Sequence, residues 1–134
     1  MATTGKQGPS YDETLADIEA TLGIVPGWFK ALPEDDVIAE WPTFKRYAVE
    51  ETEIPAKYRE LIGLAVAANI KCPYCQAFHK GAAEMNGATE AEMAELFTLA
   101  SYTARYSAIL HAQHYDMDTF MQEFEQIGEH LSGS

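Results

Sequence analysis

The chain has 134 residues, 47% of them hydrophobic, with 21 acidic and 9 basic residues and a formal net charge of −12. That length is one ordinary domain and buries enough surface to fold without a disulfide or metal. The acidity argues against nucleic acid and anionic membrane surfaces as partners, because both demand a basic patch.

Residues 1–9 are small and polar and read as a flexible tail. No apolar leader opens the chain, and the longest apolar run, Leu61 to Ile70, is about half of a membrane span. The expected compartment is a reducing cytoplasm, where a Cys-x-x-Cys is catalytic or metal-binding rather than a structural staple. A single helical domain is expected over 10–131, with 132–134 frayed.

Ser10-Tyr11-Asp12-Glu13 is a capping box, and Leu15, Ile18, Ala20 and Leu22 follow at helical spacing up to Gly23, suited to a helix end. Pro26 opens a short helical turn in which Trp28 and Phe29 are expected as core anchors. A second long helix is expected from Asp35 or Asp36, its stripe running through Val37, Trp41 and Phe44. Pro42 should kink it or break it after Glu40. Pro55 restarts the chain. Leu61 to Ala68 is apolar nearly all round, as in a helix buried on most sides. Pro73 suits the first position of the next helix, which should stop at Gly87. Thr89-Glu90-Ala91-Glu92 is a second capping box and opens the longest helix, to about Tyr115, with Met93, Leu96, Phe97, Leu99 and Tyr106 among its apolar face. Asp116 or Asp118 starts the last helix. No alternating stretch reads as a strand. The fold class is all-α, a bundle subunit of about six helices.

Chemistry concentrates in residues 60–79. Cys72, Cys75 and His79 stand at i, i+3 and i+7, so a helix puts them on one face. Cys72 falls at the N-cap with Pro73 behind it, where free backbone N–H groups and the helix dipole favour a thiolate. Cysteines so placed in Cys-x-x-Cys pairs have acidities lowered to about 3.5–7.5. His79, one turn beyond Cys75, can take the thiol proton. Glu60 heads the apolar run and can relay protons to His79; the plainer reading pairs it with Lys57 at the surface. A dithiol with an attached base suits thiol–disulfide exchange, or peroxide reduction through a sulfenic acid that the second thiol resolves.

Glu60, Cys72-Pro73-Tyr74-Cys75 and His79, with Ile54-Pro55-Ala56-Lys57-Tyr58-Arg59 before and Gly87-Ala88-Thr89-Glu90 after, resemble the AhpD-like (alkylhydroperoxidase D-like) branch of the carboxymuconolactone decarboxylase family. The resemblance covers roughly residues 20–115. It implies an all-helical subunit assembling as a homo-trimer or homo-hexamer, with the active site near a subunit contact. It implies a catalytic set of Glu60, Cys72, Cys75 and His79, in which Glu60 and His79 relay protons to Cys75 and Cys72 is the exchange partner. The helix-end reading makes Cys72 the more acidic thiol instead. The resemblance also implies a small hydroperoxide or a disulfide as substrate, a thioredoxin-, lipoyl- or peroxiredoxin-like protein as electron donor, and no cofactor or metal. The branch's alkylhydroperoxidases carry a histidine where this chain has Tyr74, and they contain a second helical repeat.

Three other readings stand beside this one. A decarboxylase-type lyase shares the fold, but the decarboxylases that named the family lack the cysteine pair. Zinc held by Cys72, Cys75, His111 and His114 is the structural alternative. A non-catalytic oligomer is the third. The sequence argues against a di-iron carboxylate site, since no histidine follows a glutamate by three residues.

Overall fold

The computed structural model describes residues 8–133; the expected tail through residue 7, and Ser134, lie outside the described residues. Among the described residues the fold is seven helices and no strand: α1 (Tyr11–Leu22), α2 (Gly27–Lys30), α3 (Glu34–Ala48), α4 (Ala56–Asn69), α5 (Pro73–Met85), α6 (Glu90–Ala112) and α7 (Met117–Ser132). No described helix is long and apolar enough to cross a membrane. The chain divides into two compact units, with the boundary inside α4 between Arg59 and Glu60.

In the first unit, α1 begins on the capping box: the Glu13 N–H donates to Ser10 Oγ and the Ser10 N–H to Glu13 Oε2. It ends at Gly23, whose φ of 81° is left-handed and carries no side-chain strain. The core is Ile18, Phe29, Val37 and Trp41, flanked by Leu15, Leu22 and Phe44. Phe29 meets Trp41 edge-to-face at a centroid distance of 5.9 Å. Asp17 ties α1 to α3 by accepting from Trp41 Nε1 at 2.6 Å and from Lys45 Nζ at 2.8 Å.

Three expectations are corrected here. The helix does not break after Glu40: α3 runs through Pro42 to Ala48. Pro42 costs it one hydrogen bond. However, Asp17 grips Trp41 on one side of the proline and Lys45 on the other, and Pro42 itself faces solvent. The N-cap is Pro33 rather than Asp35 or Asp36, which sit with Glu34 in the first turn, where acids suit the dipole. Trp28 is 57% exposed, so Phe29 alone of that pair is a core anchor; Trp28 stacks on it from outside, with ring centroids 4.1 Å apart.

In the second unit the buried cluster is Leu64, Ala83, Met93 and Leu96, from α4, α5 and α6, flanked by Leu61, Ala65 and Ala88. Asn69 ties α4 to α6 through a side-chain N–H donated to the Ala100 carbonyl at 2.8 Å. The second capping box forms as read, with the Glu92 N–H on Thr89 Oγ1. Asp116 caps α7 by accepting from the Thr119 N–H.

Within the single chain, helix α4 is not buried on most sides. Glu60, Leu64 and Ala67 form one buried stripe, while Ile62, Val66 and Ile70 are exposed at four-residue spacing. The expected apolar face of α6 splits likewise: Met93 and Leu96 are buried, while Phe97, Leu99, Tyr102 and Tyr106 are exposed. The 16 residues of α7 bury none of their side chains.

Candidate active site

The site grows from one helix start. At Lys71 the chain takes a positive φ of 58°, then turns into α5. Cys72 is the N-cap and Pro73 holds the first turn, its missing N–H being one that no helix bond would use. Cys72 Sγ accepts the Cys75 N–H at 3.2 Å, so a sulfur does here what a serine oxygen does at other helix starts. Cys72 and Cys75 are joined as a disulfide, with Cα atoms 5.3 Å apart. Both are half-buried.

His79 lies one turn beyond Cys75 on the same helix. Its Nδ1 is 2.7 Å from Glu60 Oε2, across from α4. Glu60 is 2% exposed, so its carboxylate is buried with the imidazole as its partner rather than solvated at the surface. With Glu60 as the carboxylate, which only accepts, Nδ1 is the donor of this contact. That fixes the tautomer and leaves Nε2 as the basic nitrogen. Nε2 has no hydrogen-bond partner among the described residues. Phe78 stands against the ring edge-on, at a centroid distance of 5.2 Å.

The imidazole lies flat on the backbone of α4 at Gly63. Glycine inside a helix is disfavoured by about 0.5–1 kcal/mol relative to alanine. Nothing in the sequence reading singled Gly63 out; its signal was a lone glycine in a run of strong helix formers, three residues after Glu60.

Four predicted site residues therefore sit on two neighbouring helices, as a capping disulfide and a carboxylate–imidazole pair. A largely apolar groove of about 600 Å³ is lined by Leu64, Ala68, Leu96 and Phe97 and by Lys71, Pro73 and Gln76 from the cysteine turn, with none of the four site residues in its wall. The zinc alternative finds no ligand set. Among the described residues no three Cys, His, Asp or Glu side chains gather as a cation site. His111 instead donates its Nδ1–H to the Ser107 carbonyl at 2.8 Å.

An all-helical fold with a Cys-x-x-Cys helix start and a histidine on a buried glutamate defines the class. The family model of the carboxymuconolactone decarboxylase family matches residues 35–115, and the chain belongs to that family, in its AhpD-like branch. It is similar to the crystal structure of the alkylhydroperoxidase AhpD core from Rhodospirillum rubrum. The two are 28% identical with a TM-score of 0.69, over 83% of this chain and 85% of that one. No curated protein matches the chain.

Proposed function

We propose that the chain is a thiol-dependent oxidoreductase whose Cys72–Cys75 pair cycles between dithiol and disulfide, reducing a hydroperoxide or a partner's disulfide. The observation that carries this reading is the contact of His79 with the buried Glu60, 2.7 Å apart, one helical turn from a cysteine pair that caps the helix bearing His79. A structural disulfide has no use for a base with a free nitrogen beside it.

In the reduced pair, His79 Nε2 takes the proton of the attacking thiol while Glu60 holds the opposite side of the ring. The thiolate attacks the outer oxygen of the hydroperoxide. An S–O bond forms, the O–O bond breaks, and the alkoxide recovers a proton and leaves as alcohol. The second thiol attacks the sulfenic sulfur, forms the S–S bond and releases water. Two electrons have passed from dithiol to peroxide. A donor dithiol restores the pair by two exchanges, itself becoming a disulfide. The groove lined by Leu96 and Phe97 suits the alkyl part of such a substrate. The similarity to the Rhodospirillum rubrum alkylhydroperoxidase core supports this chemistry over decarboxylation, as does the cysteine pair. A reducing cytoplasm would supply a thioredoxin-, lipoyl- or peroxiredoxin-like donor.

We further propose a homo-trimer or homo-hexamer. The exposed Ile62, Val66 and Ile70 of α4, Phe97 and Tyr102 of α6, and Phe124 and Ile127 of α7 give it apolar surface to cover.

The deciding experiment is thiol trapping in glutathione and dithiothreitol buffers, paired with turnover of tert-butyl hydroperoxide. A reversible Cys72–Cys75 disulfide with a potential between about −120 and −270 mV is expected. Failure to form it, or unchanged turnover in both Cys72→Ser and Cys75→Ser, ends the proposal.

A further inference from the structure

We infer that Gly63 is the positioning residue of the site: its missing side chain is the seat on which the His79 imidazole rests, and that seat holds Nδ1 against Glu60. This rests on the oxidoreductase reading for its kinetic consequence, but not for its structural one.

A Cβ built on Gly63 would lie 2.5 Å from His79 Cε1, 2.5 Å from Nδ1 and 2.7 Å from Nε2. No real methyl tolerates such distances. The three contacts span the ring, so the imidazole covers the α4 backbone face-on rather than touching it with one edge. Gly63 and Glu60 are three residues apart on α4 and share a face. The ring is thus held from below by the glycine and from one side by the carboxylate 2.7 Å away. Adding a methyl forces the ring upward, off the Glu60 hydrogen bond. Because the ring is the far end of a rotatable side chain, it yields without unfolding α4. What is lost is the fixed tautomer and the aim of Nε2.

Gly81 supplies the contrast. It also lies inside a helix, α5, yet a Cβ there meets nothing within 4 Å. If glycine mattered only to helix propensity, Gly63→Ala and Gly81→Ala would behave alike, each helix gaining a better former.

The test compares the oxidised wild-type chain with Gly63→Ala and Gly81→Ala. Nitrogen-15 spectra of the histidine rings report the His79 tautomer. Reduction of the disulfide by dithiothreitol and turnover of tert-butyl hydroperoxide report its consequence. Wild type and Gly81→Ala should show a single Nδ1–H tautomer with a hydrogen-bonded Nδ1 proton. Gly63→Ala should lose that signal, keep its helical circular dichroism, and fall about tenfold or more in kcat with little change in KM. An unchanged Nδ1–H signal in Gly63→Ala overturns the inference, whatever the rates do. If the signal is lost in Gly63→Ala while wild type turns over no peroxide, the positioning role stands and the peroxidase reading fails.

Discussion

Glu60 and His79 are 19 residues apart in sequence and 2.7 Å apart in space, with one of the two almost wholly buried. A buried acid accepts such a position only with a partner. Removing the imidazole should therefore cost stability as well as rate. His79→Ala is expected to destabilise the chain by about 1–3 kcal/mol, the cost of a buried acceptor left unmet. Glu60→Gln, which keeps shape and some hydrogen bonding, should cost less in stability yet still slow the chemistry by about a hundredfold. Urea unfolding beside hydroperoxide turnover separates the two effects. Equal stability of both variants would show that the pair is not what holds Glu60 in place.

The cysteines should differ in acidity. Cys72 Sγ sits at the start of α5 and accepts the Cys75 N–H, while Cys75 lies inside the first turn. With the partner removed, the lone Cys72 of Cys75→Ser should alkylate with iodoacetamide faster than the lone Cys75 of Cys72→Ser at about pH 6, within the range where capped thiols are already ionised. The reverse order would make Cys75, beside His79, the more acidic thiol.

Acid should loosen the first unit through Asp17. Hydrogen bonds from Lys45, then from Trp41, hold its carboxyl below its ordinary value of 3.8. A depressed acid gives stability that is present above its unfolded value and lost as pH falls through its folded one. Asp116, bonded by the Thr119 N–H and hydroxyl, and Glu13, bonded by the Ser10 N–H and hydroxyl, act in the same direction. Melting temperatures should fall as pH drops below about 4, and Asp17→Asn should start lower and fall less steeply. Tyr115 acts at the other end. Its hydroxyl donates to Glu123, which raises it above 10.0, so that contact is kept below the ordinary tyrosine value and lost as pH climbs through the raised one. A melting curve for Asp17→Asn parallel to wild type would remove Asp17 from this account.

Neighbouring aromatics should behave unequally. Phe29→Ala is expected to cost about 3–5 kcal/mol and Ile18→Ala about 2–5 kcal/mol, since both are fully enclosed. Trp28→Ala should cost much less, because the side chain lies largely outside the core it stacks on. Chemical denaturation of the three variants checks the order.

If the exposed faces of α4, α6 and α7 meet other copies of the chain, sedimentation should show a trimer or hexamer. Val66→Lys or Phe124→Glu should shift it toward smaller species without unfolding the chain. A wild-type monomer would sink that proposal.

Local signals carried most of the fold. Both capping boxes, Gly23 at the end of α1, and Cys72–Pro73 at the start of α5 were legible because each depends on residues within one turn. The break allowed for at Pro42 does not occur because what holds α3 together on both sides of it, Asp17, comes from another helix. The apolar girth of α4 likewise did not reveal which face is buried, since periodicity is uninformative when nearly every position is apolar. In the site, spacing put Cys72, Cys75 and His79 on one face of a helix. The seat at Gly63 was not legible, because a close approach leaves no residue type of its own.

The sulfur at the start of α5 belongs to two structures at once. It is half of the disulfide, and it is the atom that caps the helix bearing His79. Mutagenesis of Cys72 is therefore confounded unless the replacement is chosen with care. Alanine deletes the thiol and the cap together, so a slow alanine variant cannot say which loss it reports. Serine deletes the thiol alone, since its hydroxyl is among the better N-caps. The gap between the two variants is the helix's own share of the result.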